Sequence, residues 1–169
     1  MNIFNFFQKE TSQKFLFEFK DTNECFCSQL NFSFQIPDIW TVDIMNQSSK
    51  KNDYYRLLRV NPPMPLEESA EDFMEIQLLD EITLNDHKMI DWSLYFPFFN
   101  VIFNERLLID NKTVNKVILN HQEDNKNIIA YCLKLKDNAY LMLLGVSSKN
   151  HMKWYKEEFE NIVKSLKFV

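Results

Sequence analysis

A single glycine, Gly145, occurs in the whole chain of 169 residues, where an average composition would supply about 12. Loops that cradle phosphate groups need glycine wherever the backbone approaches the ligand closely or adopts a positive φ. Neither a G-x-x-x-x-G-K-[ST] loop nor a G-x-G-x-x-G turn can therefore be written in this sequence. We expect the positive-φ turn positions to be occupied mainly by asparagine and aspartate, which are the next most tolerant residues.

The charge balance argues against nucleic acid as a partner. Lys and Arg number 19 against 24 Asp and Glu, which gives a net charge of -5, and no basic run offsets it locally. Such a surface repels a phosphate backbone on average. With 46% hydrophobic and 25% charged residues, the composition is that of an ordinary globular chain.

Cysteine usage and hydropathy indicate a cytoplasmic protein. Cys25, Cys27 and Cys132 form no paired framework, which fits a reducing compartment. The longest strongly apolar run, residues 139–146, is far shorter than the roughly 20 residues that span a bilayer. Residues 1–10 lack the basic start and the continuous apolar core of a signal peptide. We therefore expect neither a transmembrane segment nor secretion.

Strand periodicity recurs along most of the chain. Alternate phenylalanines between residues 15 and 19 give one strand an aromatic face, and residues 30–36 alternate until Pro37 ends the next strand. Residues 139–146 are apolar on both faces, which predicts a strand in the centre of a sheet. Polar residues 46–53 predict a turn or loop. The remaining predicted strands cover residues 40–45, 54–60, 73–79, 114–121 and 128–135.

Two segments have helical periodicity. The first begins at Asn85 or Asp86 and ends at Pro97, and it is apolar nearly all round. The second begins after Ser148 or Asn150 and is amphipathic. Its apolar stripe consists of Met152, Tyr155, Phe159, Ile162, Val163 and Leu166.

Three stretches resemble the Mog1/PsbP-like superfamily. Residues 32–40, Phe-Ser-Phe-Gln-Ile-Pro-Asp-Ile-Trp, are similar to its opening strand and turn, although Ile39 stands where glycine is usual. The strands over 128–146 and the helix ending in Ile-Val-Lys-Ser-Leu-Lys-Phe are similar to its C-terminal part. Residues 109–114 resemble its mid-chain hairpin, with Asn111 where glycine is common.

The resemblance implies an α+β fold in which an antiparallel β-sheet is flanked by helices, as a Mog1/PsbP-like α/β/α sandwich with the C-terminal helix packed on the sheet. No linker, repeat or low-complexity segment divides the chain, which predicts one domain over residues 1–169, and the resemblance implies residues 25–169 as its core. Residues 1–24 have no obvious counterpart and are interpreted as an N-terminal extension.

The resemblance also implies binding. The superfamily includes a Ran-GTPase-binding protein, extrinsic photosystem subunits and the Eag-type chaperones of type VI secretion effectors. None is an enzyme by virtue of this fold. We expect a non-catalytic bacterial chaperone, adaptor or immunity-type protein whose partner is another protein. Whether that partner is a secreted effector or a toxin, and whether the chain forms a homodimer, stays open.

The residue types that usually act in catalysis or bind metals, histidine and cysteine above all, form no recognisable motif in this sequence. His87, His121 and His151 share no i, i+4 spacing, and residues 25–27 form a C-x-C rather than a C-x-x-C pair. We therefore predict no cofactor, no metal and no catalytic residue. Two carboxylate pairs are interpreted as solvated charge: Glu67-Glu68 and Asp80-Glu81.

Two alternatives stay open from the residues. One is a small hydrolase or ligand-modifying enzyme whose site assembles histidine and acidic residues across the sheet. The other is a peripheral membrane protein anchored by its N-terminal phenylalanines, which the acidic net charge disfavours at anionic lipid.

An aromatic cluster around Pro97 is the candidate partner-binding site. An aromatic segment at a proline kink has more apolar surface than one contact face can cover, and such a surplus is typical of interface anchors. A place in the core is the alternative. The predicted binding residues are Trp92, Tyr95, Phe96, Phe98 and Phe99.

Overall fold

The computed structural model describes residues 12–20, 29–49, 54–63, 72–79, 82, 89–135 and 139–168. Within these ranges the chain forms strands and two helices in an α+β arrangement. The elements are β1 (Ser12–Lys20), β2 (Gln29–Pro37), β3 (Thr41–Ser49), β4 (Tyr54–Asn61), β5 (Phe73–Leu79), α1 (Trp92–Tyr95), β6 (Phe99–Ile109), β7 (Lys112–His121), β8 (Lys126–Lys134), β9 (Tyr140–Ser148), α2 (Lys149–Lys164) and β10 (Lys167–Phe168).

The strands form two antiparallel sheets. The large sheet has seven strands in the order β3-β4-β5-β9-β8-β7-β6, and the small one has the order β1-β2-β10. The doubly apolar strand β9 is fourth of the seven, between β5 and β8, as its pattern predicts. β6 lies at one edge of the large sheet and β3 at the other.

One face of the large sheet carries the main hydrophobic core. Helix α2 and strand β2 pack on this face, and Phe32, Phe34 and Phe159 are fully buried between the layers. Ser148 is the N-cap of α2, because its side chain accepts a hydrogen bond from the backbone N–H of His151. The predicted C-terminal helix and its packing on the sheet are therefore confirmed.

The opposite face carries a second, smaller core. Val117, Leu119 and Ala130 point to this side from β7 and β8, and Ile90 and Trp92 cover them from the segment that leads into α1. In the described residues, the helix on this face is α1, which has four residues.

Several local predictions differ from the structure. In the described part of the first predicted helix only Trp92–Tyr95 is helical, because the Asp91 side chain caps a helix that starts there. Residues 46–49, predicted as a loop, continue β3 past a bulge after Ile44. Residues 12–20, which the resemblance left outside the core, pair along their whole length with β2.

The β6–β7 hairpin follows the expectation that asparagine and aspartate replace glycine in turns. Asp110 and Asn111 have φ angles of 48° and 61°, and in the described residues they alone combine a side chain with a positive φ. Two successive residues with positive φ form the turn type that matches the twist of a two-residue hairpin. The resemblance to the mid-chain hairpin thus holds at this position.

Candidate protein-binding surface

The chain turns sharply where α1 meets β6. The Asp91 carboxylate accepts hydrogen bonds from the N–H and the hydroxyl of Ser93, at 3.3 Å and 2.6 Å, and starts the helix. The Phe96 N–H donates to the Trp92 carbonyl at 2.9 Å, and the Phe99 N–H donates to the Phe96 carbonyl at 3.0 Å. Since Pro97 has no N–H and cannot continue a helix, the chain enters β6 within three residues.

This turn divides the predicted aromatic cluster between the core and the surface. Trp92 is only 3% exposed and lies in the second core, so it is not available as a surface anchor. Tyr95, Phe96 and Phe99 are half-buried against that core. Phe98 is 67% exposed.

The half-buried rings form a connected layer. Phe96 stacks on Trp92 with 6.4 Å between ring centroids, and Phe99 meets Phe96 edge-on at 6.0 Å. Phe99 also meets the ring of His121 edge-on at 4.7 Å. Leu94, which the sequence prediction did not include, is 61% exposed beside this layer. We call the surface formed by Leu94, Tyr95, Phe96, Phe98 and Phe99 the α1 corner.

Strand β6 continues the apolar surface beyond the α1 corner. Val101, Ile102, Phe103 and Leu108 are 50%, 60%, 44% and 72% exposed. Periodicity did not single out this strand, because apolar side chains project from both of its sides and a bulge between Val101 and Phe103 breaks the alternation.

An ion-pair network fixes β6 to the rest of the molecule. The Lys116 ammonium group on β7 lies 3.0 Å from a Glu105 carboxylate oxygen on β6 and 3.3 Å from a Glu160 oxygen on α2. Burial alone would raise the pKa of Glu160, but hydrogen bonds and charge from Lys164 and Lys116 lower it below its ordinary value. Glu160 is therefore held ionised next to the buried Lys116 side chain.

One histidine contact in the described residues is not revealed by the sequence pattern. His151 Nδ1 lies 2.7 Å from Asp72 Oδ2, and Ser147 Oγ donates to Asp72 Oδ1 at 2.5 Å. An aspartate that orients an imidazole is one part of many catalytic sites. Here, however, the Ser147 hydroxyl donates to the aspartate, and the Ser148 hydroxyl caps α2. The group thus joins β5, β9 and α2 as a structural clamp.

The other sequence candidates provide no convergent chemistry in the described residues. His121 Nδ1 accepts backbone hydrogen bonds from Glu123 and Asp124, at 3.2 Å and 2.8 Å, and so closes the β7–β8 turn. Cys132 is buried on β8. Among the described residues no three His, Cys, Asp or Glu side chains are grouped as metal ligands. The remaining candidates lie outside the described residues: His87, Cys25, Cys27, Glu67, Glu68, Asp80, Glu81 and residues 1–10.

The carboxylate of Glu75 is buried on the face of the large sheet that carries the smaller core. The Glu75 side chain is 3% exposed and contacts Arg56 Nε at 3.2 Å and Arg59 Nη2 at 3.0 Å. Gln77 donates a further bond to Glu75 at 2.6 Å, and the Arg59 guanidinium lies 4.0 Å from the centre of the Phe73 ring. The carboxylate is thus fully engaged by its neighbours on β4 and β5.

A depression in the described part of the surface is open to solvent rather than enclosed. A depression of ≈ 310 Å³ lies between β1, β2 and α2, with Gln35, Glu158 and Asn161 among its lining residues. Neither His121 nor the Asp72–His151 pair is among its lining residues. No residue of the α1 corner lines this depression or the one along α2.

The fold is similar to two solved structures. The solution structure of cyanobacterial PsbP (CyanoP) from Synechocystis aligns with a TM-score of 0.57 at 10% identity, over 95% of this chain and 94% of that one. LpqN, involved in cell envelope biogenesis of Mycobacterium tuberculosis, aligns with a TM-score of 0.58 at 7% identity, over 95% and 93%. No protein-family model and no curated protein matches the sequence.

These alignments define the chain as an α+β protein of the Mog1/PsbP-like fold. The resemblance inferred from the sequence is thereby confirmed for the fold. At these identities the likeness concerns the fold alone. In the part of the chain that the structure describes, no helix combines the length and the apolarity required to cross a bilayer.

Proposed function

We propose that this chain is a non-catalytic protein-binding domain of the cytoplasm, acting as a chaperone, adaptor or immunity-type protein, and that it contacts its partner through the α1 corner. One observation carries the proposal: Leu94 and Phe98 are 61% and 67% exposed in the same short segment as the half-buried rings of Tyr95, Phe96 and Phe99. Large exposed apolar side chains that cluster on a soluble domain are typical of interaction sites.

The half-buried aromatic rings of the same segment make Leu94 and Phe98 suitable anchors. Phe96 and Phe99 are fixed by ring contacts to Trp92 and His121, so the backbone that carries Phe98 is held in place. An anchor on a rigid base loses little conformational freedom on binding, which favours affinity. Energetically dominant interface residues are often aromatic and lie in such a preorganised setting.

The composition of the segment that carries the α1 corner indicates what kind of partner fits it. Residues 92–104 contain no charged side chain, although the whole chain has a net charge of -5. Contact with this segment therefore favours an apolar patch or segment of another protein over a charged one. A secreted effector or toxin with an exposed apolar segment is one such partner, and a chaperone or an immunity protein would shield it.

The non-catalytic interpretation is supported by the state of the candidate groups. The two serine hydroxyls beside the imidazole that an aspartate orients, those of Ser147 and Ser148, are both engaged in hydrogen bonds. The other described histidine caps a turn. The odd cysteine count continues to favour a reducing compartment.

The test is an affinity capture from the native host, followed by measured affinities for each captured protein. We expect Phe98→Ala and Leu94→Ala each to weaken binding of the true partner by at least about 10-fold, which corresponds to the loss of a dominant anchor. Both side chains are exposed, so the variants should fold normally. Trp92→Ala is unsuitable for this test, because removal of a buried ring would destabilise the fold.

The matched control is Trp154→Ala on α2. Trp154 is an aromatic residue with 68% exposure, comparable with Phe98, and it lies on the other face of the large sheet. The control should retain the wild-type affinity. Full affinity in the Phe98→Ala/Leu94→Ala double variant, with unchanged thermal stability, would show that the α1 corner is not the binding surface.

A further inference from the structure

We propose that strand β6 pairs with β6 of a second copy of this chain, so that two large sheets join into one continuous antiparallel sheet. This inference goes beyond the proposed function and uses different side chains from Leu94 and Phe98. It starts from the position of β6, which is the last strand of the seven-stranded sheet and pairs only with β7 in the described structure.

The β6 edge is long and regular over most of its length. The strand has 11 residues, about twice the mean for globular proteins. A bulge interrupts its pairing between Val101 and Phe103, but the register with β7 is continuous from Phe103 to Ile109. The backbone N–H and C=O groups on the open side of such an edge strand can form hydrogen bonds with another strand.

The side chains of β6 provide little of the usual protection against edge pairing. Proteins commonly block an exposed edge with lysine, proline or unbalanced charge. β6 contains neither lysine nor proline, and its two charged residues, Glu105 and Arg106, cancel. By contrast β1, the edge strand of the small sheet, presents exposed Lys14 and Glu18. The β3 edge of the large sheet also lacks lysine and proline, but among its described side chains only Ile44 is a large exposed apolar one, whereas β6 exposes four.

The exposed apolar residues of β6 lie on both sides of the sheet. Phe103 projects to the face of the main core, with Leu107 and Ile109, while Leu108 projects to the opposite face. A strand added here must offer apolar side chains on both of its faces and bring little net charge. β6 itself meets both conditions, so its own chemistry is complementary to a second copy.

Symmetry favours the same occupant. A twofold axis perpendicular to the sheet makes two identical edge strands antiparallel and keeps each face continuous with the same face of the other copy. Glu105 is already paired with Lys116 at 3.0 Å within its own chain, so its charge is partly compensated when a second copy approaches. One isologous contact of this kind would pair the outward backbone groups of both β6 strands and cover their apolar side chains.

The experiment measures the mass and the dissociation constant of the full chain by sedimentation or light scattering between 1 and about 100 μM, where weak dimers form. We expect a dimer in the wild type. We expect Leu108→Lys and Phe103→Lys each to weaken it at least about 30-fold, because a lysine on an edge strand opposes pairing and both positions lie in the stretch with continuous register. Hydrogen exchange of the β6 amides should be slow in the dimer and fast in the lysine variants.

Leu16→Lys is the matched control, since Leu16 is 56% exposed on the edge strand β1 of the small sheet. It should leave the dimer unchanged. A wild type that stays monomeric throughout this range, or a dimer with full strength and unchanged β6 exchange in both lysine variants, would overturn the proposal. The Phe98→Ala/Leu94→Ala variant separates the two proposals: it should stay dimeric while its affinity for a captured partner falls.

Discussion

Gly145 on β9 lies directly beneath the ring of Phe159 on α2. A Cβ atom built at Gly145 would lie 2.5 Å from Cδ2 of Phe159 and 2.8 Å from Cγ2 of Ile129. Only a residue without a side chain lets the helix approach the sheet this closely. The single glycine of the chain thus serves helix–sheet packing, while its φ is not positive.

Gly145→Ala should lower the free energy of unfolding by about 1–3 kcal/mol, because the added methyl group overpacks a fully buried contact. Urea denaturation monitored by circular dichroism measures the change. Phe159→Leu in the same background should recover part of the loss, since it removes the nearest atoms and couples the two sites. Equal or higher stability of Gly145→Ala would show that α2 can shift away without cost.

Asp72→Ala should destabilise the protein by about 1–3 kcal/mol, the usual cost of leaving buried partners without their acceptor. The Asp72 carboxylate accepts from Ser147 Oγ and, at 3.3 Å, from the Ser148 N–H, and it contacts His151 Nδ1. Thermal and urea denaturation give the measurement. Asp43→Ala is the control, because Asp43 bonds to Asn61 on an exposed part of the sheet. A loss no larger than that of the control would contradict the clamp.

Stability should fall as the pH rises above about 9, because two buried acids on β8 keep their protons in the folded state. Burial, and then the carboxylates of Glu160 and Glu105, raise the pKa of Tyr131, and burial raises the pKa of Cys132. The unfolded chain loses these protons near the ordinary values of about 8.5 for cysteine and 10 for tyrosine. The folded form is therefore favoured below these values and loses that advantage above them.

The dependence is measured as the free energy of unfolding between pH 7 and about pH 10.5, which spans both ordinary pKa values. Tyr131→Phe with Cys132→Ala should flatten the decline relative to the wild type. The native Cys132 thiol should also resist alkylation at pH 8 until the protein unfolds. An unchanged slope in the double variant would assign the decline to other groups.

Asn111→Ala should cost about 1 kcal/mol, because alanine lacks the short polar side chain that lets asparagine tolerate the left-handed φ of 61° at this position. Asn111→Gly should retain or raise the stability, since glycine adopts this conformation freely. Chemical denaturation of both variants provides the comparison. If alanine were tolerated as well as glycine, the hairpin would not depend on this conformation.

Local patterns predicted the elements in which burial follows a simple period. The alternation of residues 30–36, the doubly apolar β9 and the apolar stripe of α2 all appear where the sequence places them. Asp110 and Asn111 occupy the positive-φ positions of their turn, as expected in a sequence with almost no glycine, because asparagine and aspartate are the next residues to tolerate that conformation. These features depend on the periodicity and conformational preferences of neighbouring residues, so the sequence by itself determined them. The same patterns also determined the fold class.

Tertiary structure decided the rest. The same aromatic segment could have been core or surface, and only the turn at Pro97 buries Trp92 while it exposes Phe98. Asp72 and His151 are 79 positions apart, and they meet because β5 and β9 are neighbours in the sheet. A one-dimensional pattern indicates which side of an element is buried, whereas strand order and edge position depend on pairings between distant segments. Those pairings place β6 at the edge and leave its apolar side chains exposed.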